Sequence, residues 1–323
     1  MIEEMLKAKF ILAPMAGNTD IPFRLIARKY GCRFAFTEMI DVNGIFHKNL
    51  KTLKMMSHPD EDSPLGVQIV GAEEEKILHA AKLCEDNGAK LIDLNSACPA
   101  HKVTRLGKGS ALLKDLEKFK NIISCLTKNL KVPVTIKIRA GWDDNTKNCV
   151  TAAKIAEDEG ARAITIHPRT QTQMYKGKPD HELTRAIKET VKIPVFASGN
   201  IFTPDDAFDV LKQTSCDGVF IARGSLGKPW IFRDIYSRAQ NENIPAPDFT
   251  EKKKIILEHF ELAVKYGNER RNIPRMYKHV SWYLKGFKNM NDIMKKYIQF
   301  KTYDSIIKFV ETLEISQDEK LLF

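Results

Sequence analysis

The chain has 323 residues, 43% hydrophobic and 28% charged, with 51 Lys and Arg against 41 Asp and Glu for a formal charge of +10. This length and composition exclude a wholly disordered chain and a small scaffold that needs disulfides to fold. The basic excess admits a polyanionic partner without requiring one. No stretch is long and apolar enough to span a membrane, and the N-terminal MIEEMLKAKF lacks the charged-then-apolar plan of a signal peptide. The six cysteines, Cys32, Cys84, Cys98, Cys125, Cys149 and Cys216, form no C-x-x-C pair. Scattered thiols of this kind predict a cytoplasmic protein with no disulfide framework and no metal centre.

In chain order, short apolar and β-branched runs recur at Phe10 to Ala13, Phe34 to Thr37, Leu65 to Val70, Leu91 to Leu94, Val132 to Ile138, Ala163 to Ile166, Ile193 to Ala197 and Gly218 to Ala222. Amphipathic stretches of helical period, such as EEEKILHAAKLCEDNGA and TAAKIAEDEGA, lie between them. Eight strands alternating with helices predict an α/β fold, a TIM (β/α)8 barrel. YGCRFAF, NGAKLID and EGARAIT each place a glycine at a helix end before a strand, while KVPVTIK and KIPVFAS enter strands through Pro133 and Pro194. A glycine C-cap releasing into a buried strand accounts for the echo.

A helix is expected from about Pro229 to Ala239, followed by a linker at QNENIPAPDFT. Beyond about Thr250 only helical period remains. The expected division is a barrel over residues 1–242 and a small all-helical domain over 248–323.

In such a barrel the functional residues collect at the C-terminal ends of the strands. The first strand ends in Pro14, Met15, Ala16 and Gly17, the third carries Gln68, and the fourth ends in Asn95, Ser96, Ala97 and Cys98. The fifth carries Lys137 and Arg139, the sixth ends in His167, Pro168 and Arg169, the seventh in Ser198, Gly199 and Asn200, and the eighth in Ala222, Arg223 and Gly224. Glycine near the ends of the last two strands, ahead of helix starts, suits a phosphate cradle. A lysine in a barrel strand is seldom buried without a partner, so Lys137 is expected to face a ligand. Two roles stand open for it on these grounds, a Schiff-base lysine or a cation against the electron-rich end of a flavin.

The strings LAPMAGNTD, GVQIVG, DLNSACPAHKV, GKGSALL, VTIKIRAGWDD, IHPRTQTQMYKG, FASGNI and VFIARGSLGKPW, with YKHVSWYLKGF in the tail, resemble the tRNA-dihydrouridine synthases, closest to the bacterial B-type and nitrogen-regulation homologues. The resemblance implies FMN as cofactor, NADPH or NADH as electron donor, and reduction of the uracil C5–C6 double bond in tRNA. It further implies that Pro14, Met15 and Ala16 line the flavin ring, that Gln68 and Lys137 bond its polar edge, and that His167 approaches it. Ser198, Gly199, Asn200, Ala222 and Arg223 would hold the FMN phosphate. Asn95 would orient the target uracil, with hydride delivered to C6 and a proton to C5 from Cys98. A thiol with a reference pKa of about 8.5 is mostly protonated at neutral pH and suits that task.

A uracil stacked in RNA must be flipped out to be reached, which demands a surface that grips the backbone. Between Lys265 and Lys301 ten basic residues face two acids, Glu269 and Asp292. Arg275 and Lys278 in this run, with Lys102, Arg105, Arg139 and Arg169 in the barrel, are the expected RNA contacts, and Lys108, which like Lys102 and Arg105 follows the Cys98 loop, is expected to grip a phosphate beside the flipped base. Three positions depart from the family pattern. Ala97 stands where glycine is usual before the cysteine, Ser198-Gly199-Asn200 replaces Asn-Gly-Asp, and Gln171 replaces an arginine. A monomer with no obligate protein partner is expected. Two other readings remain, an FMN barrel acting on a small molecule and a flavoprotein that binds RNA without reducing it.

Overall fold

The computed structural model describes residues 1–242, 244–267, 269–287 and 290–314. Nine strands, all paired in parallel, form its sheet: β1 Phe10–Leu12, β2 Phe34–Phe36, β3 Ile40–Asp41, β4 Leu65–Val70, β5 Ile92–Ser96, β6 Val134–Arg139, β7 Ile164–His167, β8 Val195–Ser198 and β9 Gly218–Ile221. β1 pairs with both β2 and β9, and β2 pairs with β4, which closes an eight-stranded TIM barrel. The eight expected strands are all present. β3 is the addition: β2 meets β4 at Ala35–Leu65, breaks at Thr37 to Met39, and resumes as β3 opposite Ile69 and Val70. The break turns Glu38 out of the ladder, and its carboxylate is used elsewhere.

The glycine echo has a physical basis. Gly31, Gly88 and Gly160 adopt φ values of 90°, 91° and 89°, the left-handed conformation that ends a helix without the clash of a Cβ. The repeat extends further than those glycines. One oxygen of Glu85 accepts the Lys131 and Val132 N–H groups at 2.7 and 2.9 Å. Glu157 does the same for Lys192 and Ile193 at 2.6 and 3.2 Å, so each Lys-x-Pro entry to a strand is capped from the end of the helix one βα unit earlier, not from the helix that directly precedes it.

The lower half of the barrel is filled by Phe34, Phe36, Phe196 and Phe220, with Phe36 and Phe220 ring centres 5.3 Å apart. The N-terminal helix Ile2–Ala8 seats Met5 and Ala8 in the same cluster. The upper half is polar, carrying Gln68, Asp93, Thr135, Lys137 and Thr165. This asymmetry sends the chemistry to the C-terminal mouth.

The tail is helical: Phe249–Tyr266, Glu269–Tyr283, Met290–Tyr297 and Tyr303–Glu311. Asp248 opens the first by accepting from Glu251 N–H, while the Glu251 side chain accepts from Asp248 N–H. Ile255, Ile256, Phe260, Met276, Val280, Tyr283 and Ile306 form its core, which continues into the barrel through Ile26 and Trp230. Among the described residues no helix is long and apolar enough to cross a membrane, and no cluster of His, Cys, Asp or Glu could hold a metal ion.

Candidate active site

A cavity of about 540 Å³ opens at the C-terminal mouth of the barrel. Of the residues singled out in the sequence, Pro14, Met15, Ala16, Gln68, Asn95, Cys98, Lys102, Lys137, Arg139, His167, Ser198, Gly199, Asn200, Ala222 and Arg223 all line it. Arg105, Arg169, Arg275 and Lys278 do not. The lining holds Lys102, Lys137, Arg139 and Arg223 and no carboxylate. An electrostatically one-sided cavity of this kind favours an anion.

Cys98 is fixed by its backbone. The Asn95 side-chain oxygen accepts the Ala97 N–H at 2.9 Å and the Cys98 N–H at 2.8 Å. On the other side, Ser110 donates to the Cys98 carbonyl from its N–H at 3.1 Å and its hydroxyl at 3.0 Å. Gly109 allows that approach: a Cβ there would meet the Cys98 oxygen at 2.7 Å. The thiol itself is half-buried and borders the cavity. Cys32, Cys84, Cys149 and Cys216 are buried in the core, where desolvation raises their thiols, Cys84 to about 12. The glycine-to-alanine departure at residue 97 costs nothing in strain, because Ala97 is not among the residues of positive φ.

Asn95, expected to orient the uracil, lines the cavity and also has partners within the protein. Because its oxygen accepts two main-chain donors, its amide nitrogen must face Gln68, donating to the Gln68 oxygen at 2.8 Å and approaching Met39 Sδ at 3.2 Å. Gln68 in turn donates to Asp93 at 2.7 Å, and Thr135 donates to the other Asp93 oxygen at 2.7 Å. Both polar ends of Asn95 are therefore engaged within the protein. Burial pushes the Asp93 carboxyl above its usual range.

Lys137, on β6 beside Asn95 on β5, makes no hydrogen bond or ion pair with a described residue. Burial and the neighbouring Arg139 lower its ammonium to about 8, against the opposing pull of Asp93. His167 is held well below its ordinary value by burial and by the cations Lys137, Arg139, Arg169 and Arg223. Arginine only donates, so the 3.3 Å contact from Arg169 Nη1 makes His167 Nε2 the acceptor and leaves the proton on Nδ1.

Three arginines expected at RNA are otherwise engaged. Arg139 is 2% exposed and donates to the carbonyls of Ala97, Thr170 and Met174 at 2.8, 2.9 and 2.8 Å, so it braces the Cys98 loop. Arg169, 1% exposed, donates to the carbonyls of Lys176 and Gly177 and to Asn200. Arg275 pairs with Asp20 and Glu38. Lys108 is buried against Asp41. Lys102, Arg105 and Lys278 are exposed and free to meet a large ligand. Within the basic run of the tail, Lys288 lies outside the described residues, as do the side chains of Arg270 and Arg271.

At the cradle, Asn200 Oδ1 accepts from Arg169 at 3.0 Å and from Arg223 at 3.3 Å. With an amide where the family usually has a carboxylate, neither guanidinium has a carboxylate partner among the described residues. Gly224 has no room for a side chain, since a Cβ would lie 2.0 Å from the Ile201 oxygen. Tyr175 also lines the cavity, and no sequence pattern marks it. Its exposed ring lies 5.2 Å below the Arg223 guanidinium and 5.5 Å from that of Arg139, edge-on to His167. The signal was weak, because nothing in the loop after β7 has a period that marks one aromatic among polar neighbours.

A family model described as dihydrouridine synthase (Dus) matches residues 11–319. A protein of Rickettsia bellii named as a probable tRNA-dihydrouridine synthase is 39% identical, covering 94% of this chain and 97% of the relative. The tRNA-dihydrouridine synthase B of Pasteurella multocida is 42% identical, covering 87% of this chain and 85% of that one. In fold, the chain is similar to the solved histamine dehydrogenase of Rhizobium sp. 4-9, with a TM-score of 0.55 at 13% identity over 80% of this chain and 49% of the other. A match of this extent shows that the chain belongs to the dihydrouridine synthase family.

Proposed function

We propose that the protein is a tRNA-dihydrouridine synthase, a flavin-dependent oxidoreductase that uses FMN and a reduced nicotinamide nucleotide to saturate the C5–C6 bond of uridines in tRNA. The observation that carries the reading is the carboxylate-free, cation-lined cavity with a half-buried thiol fixed at its rim. The residues present fit a phosphorylated, ring-bearing cofactor. Gly199, Asn200, Arg223 and Gly224 offer main-chain and guanidinium donors for its phosphate, and Pro14, Met15 and Ala16 offer an apolar wall. Lys137 and Gln68 stand between, where an electron-rich ring edge would satisfy an ammonium that has no hydrogen-bond or ion-pair partner among the described residues. Bound there in its reduced form, FMN would supply hydride chemistry for C6 of the uracil.

The chain's own residues complete the reaction. Hydride addition at C6 leaves enolate charge across C5 and O4, and the reaction balances when C5 takes a proton. Cys98 donates that proton, and Asn95, Ser110 and Arg139 hold its loop in place. His167, neutral with its proton on Nδ1, adds a donor to the cavity without adding charge. Lys102 and Arg105 beside the mouth, and Lys278 on the tail, take the RNA backbone, so residues 1–242 carry the chemistry and 248–323 help to grip the substrate. Water is kept from the lower barrel by its phenylalanine plug.

The test is dihydrouridine content of tRNA lacking the modification, after incubation with protein, FMN and NADPH. Wild type forms dihydrouridine, and Cys98→Ala forms it at least about a hundredfold more slowly, the usual scale for removing a general acid. Flavin binding and NADPH oxidation without any dihydrouridine would overturn the tRNA reading in favour of a small-molecule substrate.

A further inference from the structure

Arg275 lies in the tail helix Glu269–Tyr283, within a basic run, yet its guanidinium turns toward the barrel. Nη1 meets Asp20 at 2.7 Å, and Nη2 meets Glu38 Oε1 at 3.0 Å. That same Glu38 oxygen accepts the Gly17 N–H at 2.6 Å. Gly17 directly follows the Pro14-Met15-Ala16 wall of the cavity. Asp20 closes the same loop, where it caps the helix Ile21–Lys29 by accepting from Phe23 N–H. On the other side, Glu38 adjoins Met39, which lines the cavity and touches Asn95.

Glu38 is 7% exposed. A carboxylate so buried needs a cation, and one main-chain N–H would not compensate its desolvation. Removing Arg275 therefore acts at Gly17, because Glu38, left without its cation, must turn toward water. That turn weakens its hold on the loop. An ordinary interdomain ion pair would lack this second bond and would act on tail docking alone.

We infer that Arg275 is a positioning residue that works through Glu38 to hold the 14–17 wall of the cavity, so that the tail and the cofactor side of the site are coupled. The inference rests on reading that cavity as the flavin site.

FMN affinity, followed by quenching of flavin fluorescence without RNA or nicotinamide nucleotide, tests it in wild type, Arg275→Ala, Arg275→Lys, Glu38→Gln and the double variant Arg275→Ala/Glu38→Gln. Lys29→Ala, which removes the exposed Lys29–Glu258 pair between the same two units, serves as control. Each of Arg275→Ala and Glu38→Gln raises the FMN dissociation constant about five- to tenfold, and the double variant is no worse than the stronger single, the mark of two residues acting in one chain. Arg275→Lys recovers part of the loss, and Lys29→Ala leaves the affinity at the wild-type value. Hydrogen exchange at the Gly17 amide, measured without flavin, quickens in Arg275→Ala and Glu38→Gln and not in Lys29→Ala. Multiplying effects in the double variant, or wild-type affinity and exchange in Arg275→Ala, overturn the inference. If even the wild type takes no FMN, the flavin reading has failed, and the Gly17 exchange still decides the coupling.

Discussion

Asn95 and Cys98 are joined by one carboxamide oxygen, which accepts the Cys98 N–H at 2.8 Å while also holding Ala97 at 2.9 Å. The amide nitrogen is tied through Gln68 to Asp93 in the barrel interior. The thiol's position is thus set from the rigid centre of the sheet rather than by the loop that carries it. Positioning of this kind fixes where a proton is delivered, and an error of about 1 Å there costs on the order of a hundredfold.

It follows that Asn95→Ala lowers the rate of dihydrouridine formation by about a hundredfold while leaving tRNA affinity within about twofold. Asn95→Asp keeps the loop acceptor but sets a second oxygen against the Gln68 oxygen, and Gln68 cannot turn without facing Asp93 with the same group. It is expected to be slow as well. Single-turnover rates beside filter-binding constants separate the two quantities, and a loss in affinity with unchanged rate would return Asn95 to a direct role on the uracil.

Gly109 supports the same loop from behind. A Cβ would lie 2.7 Å from the Cys98 oxygen and 3.0 Å from Cys98 Cβ, at a backbone φ of +61° that side chains disfavour. Gly109→Ala is expected to lose about 1–2 kcal/mol of stability and to change the alkylation rate of Cys98 by iodoacetamide. Unchanged melting and unchanged alkylation would show that the loop has room to yield.

The barrel was legible in the sequence because its signals are local. The expected strands fall on short runs of apolar residues, many of them β-branched, and the glycines at 31, 88 and 160 announce three of the helix ends. The cavity lining was equally legible, since strand ends converge on one face of a closed barrel. The direction of side chains was not. Arg139, Arg169 and Arg275 read as substrate cations, but in the folded chain their guanidiniums bond oxygens of the protein itself: carbonyls across the barrel mouth for Arg139, carbonyls of its own loop and Asn200 for Arg169, and Asp20 and Glu38 for Arg275. β3 was missed for a related reason: its two residues pair with the far end of β4 after a break, and so short a segment has no pattern of its own.

Exposed cations behave differently from the buried ones. Lys102, Arg105 and Lys278 have no described carboxylate partner and lie open to solvent. Each alanine variant should lower the slope of log affinity for tRNA against log salt by about one unit or less, with little sequence preference in the loss. Arg275→Ala should leave that slope unchanged. Equal slopes in all four variants would place the RNA path elsewhere on the surface.

The tail carries an acid-sensitive core. His259 and His279 are each 1% exposed, with ring centres 4.7 Å apart, packed between Phe23 of the barrel and Trp282 and Tyr283 of the tail. His259 bonds Tyr283, whereas neither ring nitrogen of His279 has a hydrogen-bond partner among the described residues. Burial lowers His259 to about 4, against the pull of Asp20; burial, His259, Arg275 and Lys278 hold His279 well below its usual value. Both are neutral in the fold and protonate more readily once unfolded, so stability is intact above about pH 6.5 and falls as the pH drops below it. The limiting slope is about 1.4 kcal/mol per pH unit for each histidine. His279→Phe keeps the stack on Phe23, removes two unsatisfied nitrogens, and abolishes one of these terms. Its melting temperature should exceed that of the wild type at pH 5 by more than at pH 7.5. Thermal scans at the two values decide the matter, and an equal difference at both would mean that His279 does not titrate with unfolding in this range.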